Sequence, residues 1–275
     1  MNLLYVVAVP YVLSLILAIP PVRKLIPKIV LTWSIPAVMA VLFGMLLQYF
    51  PQVQAEGAVV PDPIAWIPEI GLTISFYLDG LSLLFGLVVT GIGTIIFFYT
   101  GYYFEDKAKQ ARFTMWLLAF TGAMLGLVLG GNLLFMFISW ELTSITSFML
   151  IGFYGDKDEE ARISARRALV ITGAGGLALL GGVLLLGGMV GQIANAPTGD
   201  DTEIVLSDVA VTGTIGITTS EGDGTATVFG AEDENIVPFS FEYTDMLALD
   251  TVTDHPWFTA MLVLMMIGAF TKSAQ

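Results

Sequence analysis

Long apolar runs recur along this chain, and each is long enough to cross a membrane as a helix. A hydrocarbon core about 30 Å thick needs about 20 apolar residues in helical form. Helices satisfy their own backbone hydrogen bonds, which lipid cannot do. The chain therefore predicts an all-α fold, a polytopic transmembrane helical bundle of about seven spans with the last one incomplete. The runs lie near 2–20, 29–50, 76–103, 113–130, 132–153, 168–190 and from Trp257 onwards.

The composition agrees with a membrane protein and limits the chemistry available to it. Hydrophobic residues make up 56% of the 275 residues and charged residues only 13%, about half the charged fraction of a soluble domain. The chain has no cysteine, which excludes disulfides, thiolate metal ligands and a cysteine nucleophile. We expect no metal, no cofactor and no nucleic-acid partner, and a lipid bilayer as the surroundings.

The basic residues fall on one side of the predicted membrane. Ten of the eleven Lys and Arg lie in alternate loops, whereas the loops at 51–75, 130–132 and 191–256 contain none. By the positive-inside rule the basic side is cytoplasmic. We therefore predict a multi-pass protein of the cell membrane with its N-terminus outside. The ten residues are Arg23, Lys24, Lys28, Lys107, Lys109, Arg112, Lys157, Arg162, Arg166 and Arg167.

The segment 191–256 has the composition of a water-exposed loop. It contains thirteen Asp and Glu and accounts for the whole formal net charge of −13, because the other residues are balanced. Stretches such as "VAVTGTIGITT" and "TATVFG" indicate a small β-hairpin. The acidic charge either concentrates cations near an entrance or is a solvated surface. We divide the chain into a six-span bundle at 1–190, this acidic extracytoplasmic loop, and the start of a seventh span at 257–275.

One carboxylate interrupts an otherwise apolar run. Glu141 lies near the middle of "FMFISWELTSITSFMLIGF", residues 135–153. A charge at the bilayer centre costs about 2.5–3.5 kcal/mol on insertion scales, so an ionisable residue within a span marks a functional site by default. The hydroxyl groups of Thr143, Ser144 and Ser147 follow it and can bind a carboxylate or hold water, as a proton path requires. The alternative is a structural carboxyl that is protonated or paired with a neighbouring helix.

Lys272, Asp79 and His255 are further candidates. About 15 residues separate Trp257 from Lys272, which is about 22 Å of helix and less than the hydrocarbon thickness. Lys272 therefore lies inside the membrane, or its side chain extends to the cytoplasmic headgroups. Asp79 is either the N-cap of the third span or an accessory member of the path. His255 is the single histidine and a second candidate accessory residue, at the membrane surface.

Three stretches of the sequence resemble a known family. "YLDGLSLLF", "WELTSITSFMLIGFY" and "GAFTKSAQ" are similar to the large antiporter-like membrane subunits. These include the A subunit of Mrp-type multisubunit Na+/H+ antiporters and the L subunit of respiratory NADH:quinone oxidoreductase. The similarity extends over about 70–190 and resumes at 257–275. "WELTS" and "FTKSAQ" resemble the Mrp-type subunit more than the respiratory one, in which "WEG" and "GKSAQ" are usual.

The resemblance implies a role for two of the candidate residues. In the family, a glutamate of the fifth helix and a lysine of a broken seventh helix form a charge pair in a proton path, and these match Glu141 and Lys272. It therefore implies that Lys272 lies within the membrane and modulates proton binding at Glu141. It also implies an ion-translocating, non-enzymatic subunit that moves protons and Na+ together with other membrane subunits.

Departures from the family pattern leave alternatives open. Respiratory L subunits carry an acidic residue early in the sixth span, where this chain has "TGAGG", and this favours the antiporter. Family members continue past "KSAQ", so we expect a fragment of a longer subunit or one piece of a split gene. The second hypothesis is a proton-pumping membrane subunit of an NADH:quinone oxidoreductase or a membrane-bound hydrogenase. The third is a structural scaffold whose charges only pair helices.

The predicted orientation can be tested by labelling introduced cysteines, because the chain has none of its own. We expect Thr219→Cys, in the acidic loop, to react with an impermeant reagent added outside the cell. A cysteine within 155–167 should react only after the membrane is opened. Labelling of Thr219→Cys from the cytoplasmic side alone would contradict the orientation.

Overall fold

The computed structural model describes residues 3–67, 70–194, 217–219, 226–228, 241–247 and 250–272. The helices of these residues are α1 Leu3–Ala18, α2 Pro20–Leu25, α3 Lys28–Leu47, α4 Phe50–Glu56, α5 Gly80–Tyr103, α6 Lys107–Leu129, α7 Leu133–Ile151, α8 Glu159–Ala194, α9 Tyr243–Leu247 and α10 Phe258–Lys272. The strands are β1 Ala58–Val59, β2 Ile64–Ile67, β3 Leu72–Ile74, β4 Leu78–Asp79, β5 Ile217–Thr219 and β6 Ala226–Val228. Short 3-10 helices lie at Gly152–Tyr154 and Asp250–Asp254.

The predicted all-α membrane bundle is confirmed. Among the described residues, five helical segments are long and apolar enough to cross a membrane, and they coincide with the second to sixth predicted spans. The first and seventh runs form the shorter apolar helices α1, of 16 residues, and α10, of 15 residues. The strands are all short and pair in twos, β1 with β4, β2 with β3, and β5 with β6.

The third span begins later than its apolar run. The run starts at residue 76, but Phe76 and Leu78 are extended and α5 begins at Gly80. Asp79 and Ser82 form a reciprocal capping box there. The Ser82 N–H donates to Asp79 Oδ1 at 2.8 Å, and the Asp79 N–H donates to Ser82 Oγ at 2.8 Å. The capping box starts the helix at this point because it satisfies N–H groups that a helix N-terminus leaves free.

The fourth and sixth spans begin earlier than predicted, at Lys107 rather than 113 and at Glu159 rather than 168. In each case an aspartate caps the helix N-terminus. Asp106 Oδ1 accepts a hydrogen bond from a backbone N–H at 2.9 Å, and Asp158 Oδ1 does the same at 2.9 Å. Hydropathy reports only the apolar part of a helix, whereas polar caps set where the helix begins.

The helices pack in a connected series. α3 packs on α5, α5 on α6, α6 on both α1 and α7, α7 on α8, and α8 on α10. The glycines of α6 explain two of these contacts. A Cβ at Gly122 would lie 2.9 Å from the Tyr11 ring of α1, and one at Gly126 would lie 2.6 Å from Ser139 Oγ of α7. Small residues thus permit close helix approach, as in membrane interfaces generally.

The turn between α6 and α7 joins three segments at one end of the bundle. On one side, the Gly131 N–H donates to the Ser75 carbonyl at 2.9 Å. On the other side, the Leu133 N–H donates to the Phe241 carbonyl at 2.8 Å, and the Tyr243 N–H donates to the Gly131 carbonyl at 2.8 Å. The segment before α5 and the residues that precede α9 are therefore both attached to the start of α7.

Asn132 is the side chain at the centre of this junction, and it is completely buried. Its Oδ1 caps α7 by accepting from two backbone N–H groups of the first turn at 3.0 and 3.2 Å. Its Nδ2 donates to the Gly71 carbonyl at 3.0 Å and to Glu242 Oε1 at 3.0 Å. The Glu242 carboxylate also accepts from Ser75 Oγ at 2.7 Å and from Thr73. One amide thus holds α7, the β3 segment and the end of the acidic loop together.

The acidic loop contains the predicted hairpin. β5 and β6 pair antiparallel, with Thr218 opposite Thr227. Most of the rest of 191–256 lies outside the described residues, so the division of the chain at 1–190, 191–256 and 257–275 stays a prediction.

Asn132→Ala should lower the free energy of unfolding by about 2–4 kcal/mol, because both a helix cap and buried hydrogen bonds are lost. Asp106→Ala is the matched control, since it removes an exposed cap and nothing else in this junction. We expect the control to cost about 1 kcal/mol. Thermal unfolding in mild detergent measures both variants, and equal losses would contradict the role assigned to Asn132.

Candidate functional site

Glu141 lies at the middle of α7, inside the bundle. The residue is half-buried, and its Oε1 atom is fully enclosed without a hydrogen-bond partner among the described residues. That oxygen points at the backbone of α8, where a Cβ added to Gly176 would lie 1.9 Å from it. A buried acceptor without a partner is costly, so its presence in an apolar bundle requires an explanation beyond packing.

Lys272 extends from the last turn of α10 to the middle of α7. Its Nζ donates to the Trp140 carbonyl at 2.8 Å, to Ser144 Oγ at 3.0 Å, and to Thr143 Oγ1. Nζ also lies 4.7 Å from the centroid of the Trp140 ring, within the range of a cation–π contact. The ammonium is thus held at the middle of α7, and the lysine side chain does not reach either end of that helix.

The predicted ion pair between Glu141 and Lys272 is not formed as a direct contact. No nitrogen–oxygen distance between the two is within 4.0 Å, whereas Arg162 and Glu159, elsewhere in the described part of the chain, do form an ion pair at 2.9 Å. The reason is that α7 offers the ammonium a carbonyl and two hydroxyl oxygens, which satisfy all three of its N–H donors.

Two of the three hydroxyls of the predicted polar path contact Lys272. The Thr143 and Ser144 side chains are buried, at 0% and 4% exposure, and both contact Lys272. Ser147 is half-buried, about one turn further along α7, and is not among the contacts of Lys272. The sequence therefore identified three hydroxyls, of which two contact the ammonium.

Asp79 and His255 lie elsewhere. Asp79 is the N-cap of α5, as the simpler of its two interpretations expected. His255 Nδ1 accepts from the Trp257 N–H at 3.2 Å, just before α10 begins. A 15-residue helix is about 22 Å long, so α10 separates His255 from Lys272. Neither residue hydrogen-bonds to Glu141 or Lys272.

Sequence reasoning missed the part of the site that is backbone. The Trp140 carbonyl accepts from three side chains, Thr143 Oγ1 at 2.7 Å, Ser144 Oγ at 3.3 Å and Lys272 Nζ at 2.8 Å. The only sequence signal for this was a polar cluster one turn after a tryptophan. Within the described ranges, no cluster of three or more His, Asp or Glu could hold a metal ion.

The hydrogen bond between Thr143 and Lys272 can be measured with a matched pair of variants. Thr146 is buried on the same helix and donates to the Leu142 carbonyl at 2.7 Å, but it does not contact Lys272. We expect Thr143→Val to cost about 1 kcal/mol more unfolding free energy than Thr146→Val, because only Thr143 accepts from the ammonium. In a Lys272→Met background this difference should vanish, and its persistence would contradict the contact.

Two family models match the sequence of this chain. Residues 66–114 match "NADH-Ubiquinone oxidoreductase (complex I), chain 5 N-terminus". Residues 130–210 match "NADH:quinone oxidoreductase/Mrp antiporter, TM". The second match includes the whole of α7 and α8, and hence Glu141 and Gly176.

Curated relatives are named as antiporter subunits. A probable K(+)/H(+) antiporter A/B subunit of Rhizobium meliloti is 35% identical over 246 residues, which is 89% of this chain and 20% of the relative. The Na(+)/H(+) antiporter A subunit of Alkalihalophilus pseudofirmus is 33% identical over 267 residues, 97% of this chain and 27% of the relative. The chain thus spans about a fifth to a quarter of the length of these relatives.

Solved structures show the same fold. A chain of the Mrp complex from Dietzia sp. aligns with a TM-score of 0.68 at 24% identity, covering 100% of this chain and 24% of that chain. A chain of the membrane-bound sulfane sulfur reductase, an archaeal respiratory complex, aligns with a TM-score of 0.54 at 17% identity, covering 67% of this chain and 28% of that chain. Residues 66–114 and 130–210 are thus similar in sequence to the antiporter-like membrane subunits of Mrp antiporters and NADH:quinone oxidoreductases, and the fold is shared with solved membrane complexes.

Proposed function

We propose that this chain is an ion-translocating part of a multisubunit cation/H+ antiporter in the cell membrane, in contact with lipid and with other membrane subunits. The observation that carries the proposal is the Glu141 carboxylate, which lies inside an apolar bundle with one oxygen unpartnered among the described residues. The Lys272 ammonium of α10 is hydrogen-bonded to the same turn of α7. The names of the relatives support it. The relative from Alkalihalophilus pseudofirmus is named as a Na(+)/H(+) antiporter subunit, so we propose Na+ as the exchanged cation.

In this proposal Glu141 carries the proton. A proton bound at the carboxyl removes its charge, and release of the proton restores a carboxylate in a site of low polarity. The restored carboxylate attracts the Lys272 ammonium, which is held by neutral oxygens of α7. Because these acceptors are neutral, the ammonium can shift toward Glu141 without breaking an ion pair. Its position then depends on whether Glu141 is protonated, which would couple proton binding to the arrangement of α10.

We further propose that the N-terminus is external and that 191–256 faces outward. The clustering of basic residues at one end of the bundle supports this orientation. Lys28 Nζ donates to the Phe104 carbonyl at 2.7 Å, and Lys107 Nζ donates to the Lys24 carbonyl at 2.7 Å. The two basic segments therefore lie side by side, as the positive-inside rule requires for loops of the cytoplasmic side.

A second candidate is a membrane subunit of a redox-driven pump. The match of residues 66–114 to a complex I family model favours it. In that case Glu141 and Lys272 would serve the same proton path, but the driving reaction would occur in other subunits. Flavin or iron–sulfur proteins that co-purify with the chain would identify this alternative, whereas small hydrophobic partners alone support the antiporter.

Glu141→Gln should abolish cation/proton exchange at every pH, because the amide cannot take up or release a proton. Exchange is measured in vesicles that contain the full complex, and assembly is checked by co-purification. Glu160→Gln is the matched control, since Glu160 is exposed at the start of α8, and this variant should exchange normally. Lys272→Ala should assemble and exchange more slowly, because the charge beside Glu141 is lost. Normal exchange by assembled Glu141→Gln complexes would disprove the proton-carrier role.

A further inference from the structure

α8 carries two adjacent glycines at the point where α7 and α10 meet it. A Cβ added to Gly176 would lie 1.9 Å from Glu141 Oε1 and 2.9 Å from Glu141 Cδ. A Cβ added to Gly175 would lie 1.7 Å from Thr271 Oγ1 and 2.6 Å from Thr271 Cβ. Non-bonded atoms approach to about 3.5–4.0 Å, so neither position has room for a methyl group. Thr271 directly precedes Lys272, so the two glycines face the two turns that carry the charged groups.

The contact between α8 and α10 is close along its length. A Cβ at Gly268 of α10 would lie 2.6 Å from Leu179 Cβ and 2.9 Å from the Gly175 carbonyl oxygen. A Cβ at Gly182 of α8 would lie 3.1 Å from the Met261 carbonyl oxygen. The two carbonyl oxygens are backbone atoms and Leu179 Cβ is bonded directly to the backbone, so none of the three can rotate away. These contacts fix the position of α10 along the axis of α8. They therefore also fix the position of the Lys272 backbone relative to α8.

We propose that Gly175 and Gly176 form a notch in α8 that sets the separation between Glu141 and Lys272. Gly176 admits the carboxylate and Gly175 admits the turn that carries the lysine. Because neither glycine has a side chain, the Glu141 carboxylate and the Lys272 ammonium of α10 both lie at the same turn of α7 without an ion-pair contact. This inference rests on the proposed function, because exchange at Glu141 is the process that the separation serves.

The separation matters for proton transfer. A carboxylate in direct contact with a buried ammonium is stabilised as the charged form, and its protonation leaves an uncompensated charge behind. Here the ammonium already has three acceptors on α7, while Glu141 Oε1 has none of the described donors as a partner. Glu141 can therefore gain or lose a proton without breaking an ion pair. A carboxylate pushed away from α8 would lose this arrangement.

The two glycines differ in what a methyl group would displace. Glu141 Oε1 is the end of a flexible side chain, so Gly176→Ala should move the carboxylate and leave the helices in place. Thr271 Cβ is attached to the backbone of α10, so Gly175→Ala should loosen the packing of α10. Gly173 lies on the same helix with no atom within 4 Å of an added Cβ. Gly173→Ala is therefore the matched control for both.

The test compares Gly176→Ala with Gly173→Ala in the full complex. Two quantities are measured: exchange in vesicles, and the rate at which dicyclohexylcarbodiimide labels Glu141. Labelling is followed by peptide mass spectrometry. Gly176→Ala should assemble, lose about 100-fold in exchange, and label faster because Oε1 is no longer enclosed. Gly173→Ala should exchange and label as the unmodified protein does. Its thermal midpoint should rise by about 1–3 °C, since alanine is favoured over glycine within a helix.

Unchanged labelling and exchange in Gly176→Ala would overturn the proposal. Faster labelling with unchanged exchange would also overturn it, if Glu141→Gln abolishes exchange. If Gly176→Ala fails to assemble, Glu141→Asp should restore assembly in the double variant, because its carboxylate is one methylene shorter; failure to do so would overturn the notch. The proposed function is tested separately by Glu141→Gln. If that variant exchanges normally while Gly176→Ala still labels faster, the proposed function is wrong and the steric role of the notch stands.

Discussion

The ammonium of Lys272 has to find hydrogen-bond acceptors inside a bundle of apolar helices, and the site is organised around this requirement. An unpaired charge in hydrocarbon is expensive. The Trp140 carbonyl, Thr143 and Ser144 of α7 provide the acceptors. α10 must therefore end against the middle of α7, and α8 must let it approach. The glycines of α8 meet that demand, because a larger residue would hold α10 away.

α7 connects the two polar regions of the molecule. Its N-terminus is fixed by Asn132, which also donates a hydrogen bond to the Glu242 carboxylate of the acidic loop. Its centre carries Glu141 and the acceptors of Lys272. A helix is stiff over this distance, so a displacement of the junction at Asn132 would move Glu141 relative to α8. The attachment site of the acidic loop and the buried carboxylate are therefore connected by a single stiff helix.

Much of the fold could be predicted because the membrane imposes simple rules on sequence. Runs of apolar residues located the helices, and the basic residues gave an orientation that stays a prediction. The helix starts at Gly80, Lys107 and Glu159 were not predicted, since caps rather than hydropathy decide them. The strands between α4 and α5 were also missed, because β1, β2 and β3 are short segments of the predicted loop at 51–75 and β4 lies inside the predicted third span.

By itself, the sequence identified Glu141 and Lys272 as candidate ionisable residues of the membrane, because an isolated glutamate and lysine in apolar runs are visible without coordinates. It also determined the hydroxyls near Glu141, which follow from helical spacing. Only the tertiary structure decided that Lys272 bonds to neutral oxygens of α7 and not to Glu141, and that Glu141 Oε1 lies against Gly176. The reason is that these contacts join residues more than 30 positions apart and depend on how closely three helix backbones approach, which no local pattern encodes.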